Sequence, residues 1–154
     1  MDRLFPKVAD NTYTGHPIAR WVFIFMTIVT IIRSLIHMFS ADGGAGSIAT
    51  IPLENFTDNG AAAVILAFAL WGLSQLIVGL IYVVVLWRYQ SLIPLMYVLM
   101  IFEYVMRIVL GEIKPIDTVS TPPGAIGDYV IIPLASVMLF LALRDRRRPD
   151  PDSE

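Results

Sequence analysis

Six residues able to carry charge, a proton or paired hydrogen bonds lie inside stretches that are otherwise apolar: Arg33, His37, Gln75, Glu103, Arg107 and Asp128. An ionisable side chain in the middle of a membrane span costs roughly 3 kcal/mol or more unless it is paired or wetted, so each is a candidate functional residue. Residues four apart share a helix face. Arg33 and His37 therefore form one polar stripe, which Thr30 extends, and Glu103 and Arg107 form another. Two guanidinium groups facing one space can grip an anion through forked, charge-assisted hydrogen bonds. Glu103 and Asp128 would balance that charge in the empty state, and His37 would gate the site by protonation.

Two roles stay open for this cluster. The two arginines and two carboxylates sum to zero charge, so they could neutralise one another and lock the helices together. Glu103 precedes Arg107 in the order that favours pairing within one helix. Buried ion pairs add little net stability, because desolvation cancels most of the attraction, although polar contacts between membrane helices are common. The alternative is a wetted pocket for a ligand or proton. A third role, an intramembrane enzyme on a lipid-like substrate with Glu103 or Asp128 as acid or base, ranks last because no nucleophile is recognisable. No cofactor is called for. His16 and His37 lie about 30 Å apart along one helix and cannot share a haem or a metal ion, and no metal-ligand spacing is present.

The elements that must position these groups are four membrane helices. Of 154 residues 56% are apolar and 16% charged, whereas soluble domains are nearer half apolar and a quarter charged. The excess falls in blocks at 18–38, 61–87, 92–110 and 124–143, each near the roughly 20 residues that cross about 30 Å of hydrocarbon. The expected fold is an all-α integral membrane four-helix bundle forming a single domain over 1–148, with a disordered cytoplasmic tail at 149–154. No cysteine is present, which excludes disulfide exchange and thiolate metal sites. The first block follows a long polar lead and lacks a cleavage site, so it is expected to be retained.

Basic residues set the orientation. Arg3, Lys7 and Arg20 precede the first span, Arg88 lies between the second and third, and Arg144, Arg146, Arg147 and Arg148 follow the fourth. The loops 39–60 and 111–123 hold only Lys114 against five acids. Both termini are thus expected to be cytoplasmic, with all six polar residues in the outer half or at the midplane of the bilayer. The arginine run fits contact with anionic lipid better than nucleic acid. Asp58-Asn59-Gly60 is expected to cap the second helix and Thr121 the fourth, where Pro122 would open the first turn. Pro133 should bend the fourth helix. The glycine-rich stretch 40–47 reads as a lid over the outer mouth.

The first and third spans both run outward with an arginine near the outer end, which suggests a hairpin repeated in parallel about an axis along the membrane normal. Gly72, Gly79, Ala135 and Ser136 would allow close helix contacts, within one chain or in a homo-oligomer or larger membrane complex.

The stretch Gly72-Leu73-Ser74-Gln75-Leu76-Ile77-Val78-Gly79 resembles the G-x-x-E-x-x-x-G pattern of the DoxX-like group of small bacterial four-helix membrane proteins. Gln75 stands where that pattern has an acid. The resemblance implies a bacterial inner-membrane protein, in a group sometimes associated with redox or quinone metabolism. Taken together, the expected function is an outer-half pocket that binds or passes a small anionic or amphipathic ligand or a proton. The alternative is an accessory subunit that uses the cluster as helix glue.

Overall fold

The computed structural model describes residues 3–144, so the expected disordered tail and Arg146, Arg147 and Arg148 lie outside the described residues. The regular structure is all helical, with no strand among those residues: α1 is Pro17–Phe39, α2 Asp58–Arg88, α3 Ile93–Ile113 and α4 Pro123–Leu143. Single 3₁₀ turns at Leu53–Asn55 and Gln90–Leu92 lie in the connections. All four helices are long and apolar enough to span a membrane. Their outward faces carry large apolar side chains such as Phe25, Phe102 and Phe140, all well exposed. Water penalises such a surface, whereas hydrocarbon does not.

The helix ends follow local chemistry, with two departures from the sequence expectation. α2 is capped by Thr57, whose Oγ1 accepts from Gly60 N at 3.2 Å, so Asp58 is already its first residue. Pro122 occupies the cap of α4 with no side-chain bond, and Pro123 supplies the first-turn proline. The missing N–H of that proline lies among donors the helix would leave unpaired anyway. His16 caps α1, its ring Nδ1 accepting from Ile18 N at 3.3 Å. α4 continues through Pro133 as one helix.

Hairpins α1/α2 and α3/α4 are the closely packed pairs, and α1 also packs on α4. α2 and α3 scarcely touch although only residues 89–92 separate them. An exact parallel repeat would relate the α2–α3 seam to the α1–α4 seam, so the structure departs from that symmetry where α2 meets α3. The apolar core lies toward the chain termini. There the Phe23 ring sits 5.0 Å from Tyr82 and 5.6 Å from Tyr97, and the Tyr97 hydroxyl donates to Ala19 O at 2.6 Å. The N-terminal segment closes that end, with His16 N donating to Leu141 O and Ser91 N to Asp10 O. Polar groups are thereby displaced into the half nearer the two long loops.

Candidate functional site

Close approach of α1 and α2 is set by glycine. A Cβ at Gly72 would stand 2.7 Å from His37 Cβ and 3.0 Å from Ser34 O, and one at Gly79 would stand 3.0 Å from Ile31 Cγ1. The small residues of the Gly72–Gly79 stretch thus pack within the chain, as does buried Ala135, whereas Ser136 is exposed and bonds back to Ile132 O. With the two backbones this close, Gln75 between the glycines reaches across to α1.

Five of the six sequence-derived residues form one relay through all four helices. Arg33 Nη2 donates to Gln75 Oε1 at 2.6 Å, and Gln75 Nε2 donates to Glu103 Oε1 at 2.8 Å. Glu103 Oε1 lies 3.7 Å from Arg107 Nη1, whose Nε lies 3.3 Å from Asp128 Oδ1. Among the described residues Arg33 forms no direct ion pair, and the Gln75 amide spans the gap from it to Glu103. The relay leaves buried atoms over: Arg33 Nε, Arg107 Nη1 and Asp128 Oδ1 have no hydrogen-bond partner among the described residues. Such orphans are uncommon in folded proteins, and leaving one unpaired costs about 1–3 kcal/mol.

Trp71, which the sequence reading passed over, stands at the centre of the cluster. Its ring centroid lies 5.7 Å from Arg33 Cζ and 5.0 Å from Arg107 Cζ, and Tyr104 lies 5.1 Å from Arg107 Cζ. Each cation–π contact is worth roughly 0.5–2 kcal/mol, more where water is excluded. One signal in the sequence could have found it, since Trp71 sits one turn before Gln75 on the same helix face. Apolar surroundings hid it as an ordinary span residue.

His37 belongs to the same space but not to the relay. Its Nδ1 lies 2.7 Å from Gly43 O, its ring packs 4.6 Å from Trp71, and Gly44 closes over it. Gly43 and Gly44 both adopt positive φ, which lets the turn fold back onto α1. Asp42 organises this turn, accepting from Gly44 N at 2.8 Å, from Ser47 N at 2.6 Å and from Ser47 Oγ at 3.1 Å. The Ser47 N–H foremost holds the Asp42 carboxyl at about 2, against a smaller opposing effect of desolvation and with help from Gly44 N–H and the Ser47 hydroxyl. The loop is strapped to the α3–α4 connection, Val119 N donating to Thr50 O and Thr50 Oγ1 to Ser120 O. The stretch expected to be a lid is thus a hydrogen-bonded turn seated on His37.

Two cavities flank the relay. One of about 320 Å³ is lined by Arg33, His37, Trp71, Arg107, Glu112 and Asp128, among others. The second, of about 350 Å³, lies in the α2–α3 seam, with Trp71, Gln75 and Glu103 at one end and Val78, Ile81 and Leu99 beyond them. Trp71 lines both. Among the described residues, no group of three His, Asp or Glu side chains is placed to hold a metal ion.

Compared with protein-family models, curated proteins and solved structures, the chain gives no match. The resemblance of Gly72–Gly79 to the DoxX-like pattern therefore rests on those residues alone.

Proposed function

We propose that this chain is an integral membrane protein of a bacterial inner membrane, with both termini cytoplasmic. Its loop-side cavity binds a small anion, or the anionic end of an amphiphile, between Arg33 and Arg107. One observation carries this reading: both arginines line a common cavity while each keeps a buried nitrogen without a hydrogen-bond partner among the described residues. A fully closed lock would pair those donors, whereas an oxyanion in the cavity can engage both guanidinium groups with charge-assisted bonds. Trp71 and Tyr104 hold the guanidinium planes in place, so little side-chain entropy is lost on binding. Gln75 keeps Glu103 engaged without neutralising Arg33 directly. The distribution of basic residues supports the orientation, which places the cavity on the extracytoplasmic side.

Charge balance adds a condition. Arg33, Arg107, Glu103 and Asp128 sum to zero when ionised, so an added anion would leave a net negative charge where screening is poor. Binding is therefore accompanied by uptake of about one proton.

A second reading, an accessory chain that uses the cluster as glue, is favoured by one fact: the relay joins all four helices. Titration of nanodisc-reconstituted protein with inorganic phosphate and sulfate separates the two. Saturable binding that falls at least tenfold in Arg33→Gln and in Arg107→Gln, with helical content retained, supports the site. No binding, together with unfolding of both variants, supports the glue.

A further inference from the structure

The α2–α3 seam is the loosest contact between sequence-adjacent helices in the bundle, although the short connection at 89–92 brings these two together. α1 and α4 meet more closely, so the gap is local to one side of the bundle. The 350 Å³ cavity in the gap is graded along its length. Ile81, Tyr82, Met96 and Leu99 line its terminal end, and Trp71, Gln75 and Glu103 line its loop end. From Trp71 to Tyr82 the groove runs about 16 Å along α2 at 1.5 Å per residue. At its polar end it adjoins the cavity holding both arginines, Trp71 lining the two.

Glu103 gives this gradient a chemical meaning. Its side chain is 36% exposed, and both of its contacts fall on Oε1, leaving Oε2 without a partner among the described residues. Ile81 and Leu99, further along the groove, are half exposed, so the seam opens sideways onto the surface that faces hydrocarbon in a bilayer. Glu103 is paired through Oε1, but its second oxygen remains at the seam, and acyl chains offer it no hydrogen-bond donor. The loop end of the seam needs polar matter, and the remainder needs apolar matter.

We propose that the seam is a lateral entry and tail groove for a single-chain amphiphile with a phosphate-class headgroup. The headgroup passes Trp71 to reach Arg33 and Arg107, and the chain lies along Val78, Ile81 and Leu99. This rests on the anion-binding reading above and adds to it the tail and the route. A phosphate monoester, with a second pKa near 6, retains on part of its population a proton that can be donated to Glu103 Oε2. It therefore brings the oxyanion the arginines need and the donor the exposed carboxylate needs. Inorganic phosphate has the same head chemistry without the tail.

The test uses the full chain in nanodiscs and a dodecyl phosphate carrying a diazirine at its chain end. Saturable photolabelling is expected on residues 78–82 and 96–99, removed by excess unlabelled dodecyl phosphate. It should fall at least tenfold in the Arg33→Gln/Arg107→Gln double variant. Leu99→Trp, which fills the groove, should cut labelling at least fivefold while leaving binding of inorganic phosphate within twofold of wild type. Val78→Phe serves the same purpose should Leu99→Trp fail to fold. Labelling spread evenly over outward positions such as Phe25 and Phe140, or unaffected by both groove variants, overturns the tail groove. In that case, Arg-dependent binding of inorganic phosphate would leave the anion site standing. Absence of both signals removes the two together.

Discussion

Replacing Gln75 by leucine tests whether the relay is wetted or sealed. Gln75 is 5% exposed and makes two interhelical bonds, to Arg33 and to Glu103. Gln75→Leu keeps most of the volume and removes both bonds. Interhelical side-chain bonds in membrane proteins average about 0.6 kcal/mol and reach about 1.7, so two predict a loss of about 1–2 kcal/mol if water or an anion in the neighbouring cavity takes over the freed groups. If Arg33 were instead sealed from water, removing its bridging partner would strand a buried charge and cost about 3–5 kcal/mol. These outcomes differ by about fivefold or more in the folding constant, since each 1.4 kcal/mol is tenfold. Unfolding in mixed micelles followed by tryptophan fluorescence resolves the difference. A loss of 3 kcal/mol or more would refute the wetted cavity, and a loss too small to measure would refute the bridge itself.

Further outcomes follow from the same geometry. Gln75→Glu, which installs the acid of the DoxX-like pattern, places a carboxylate beside Arg33 and should weaken anion binding at least tenfold in a phosphate titration. Gly72→Val should destabilise the protein by about 1–3 kcal/mol, because its Cβ position already crowds His37 Cβ and Ser34 O; the same unfolding assay reads it. Phosphate affinity should rise as pH falls from 8 to 6, since binding takes up a proton; affinity that rises with pH would contradict the charge balance. Asp42 is held at about 2 in the folded turn, below its ordinary value, so the folded state binds fewer protons and the turn is stabilised at higher pH. That stabilisation is fully present above about pH 4 and lost as pH falls toward 2, which hydrogen exchange at Gly44 and Ser47 would report.

The helices were legible because their signal is long and cumulative: four apolar blocks separated by turn residues and acids leave little choice of boundary. The caps were less so, since Thr57 competes with Asp58 and two consecutive prolines follow Thr121, and such choices turn on one backbone angle. The relay residues could be named because charge is rare in an apolar run. Their partners could not. That Gln75 links Arg33 to Glu103 depends on how closely Gly72 and Gly79 let α2 approach α1. His37 shares a helix face with Arg33, yet its ring turns to Gly43 O because the glycine turn folds back over it. The open α2–α3 seam left no trace in periodicity, since α2 carries no charge from Ala61 to Trp87 to mark one of its faces.

Titration of the nanodisc-embedded protein with inorganic phosphate at pH 6, compared with its Arg33→Gln/Arg107→Gln double variant, tests the central claim most directly. Saturable binding at one site per chain is expected, weakened a hundredfold or more in the double variant while its helical content is preserved. Equal binding by the two proteins, or none by either when both are folded, would contradict it.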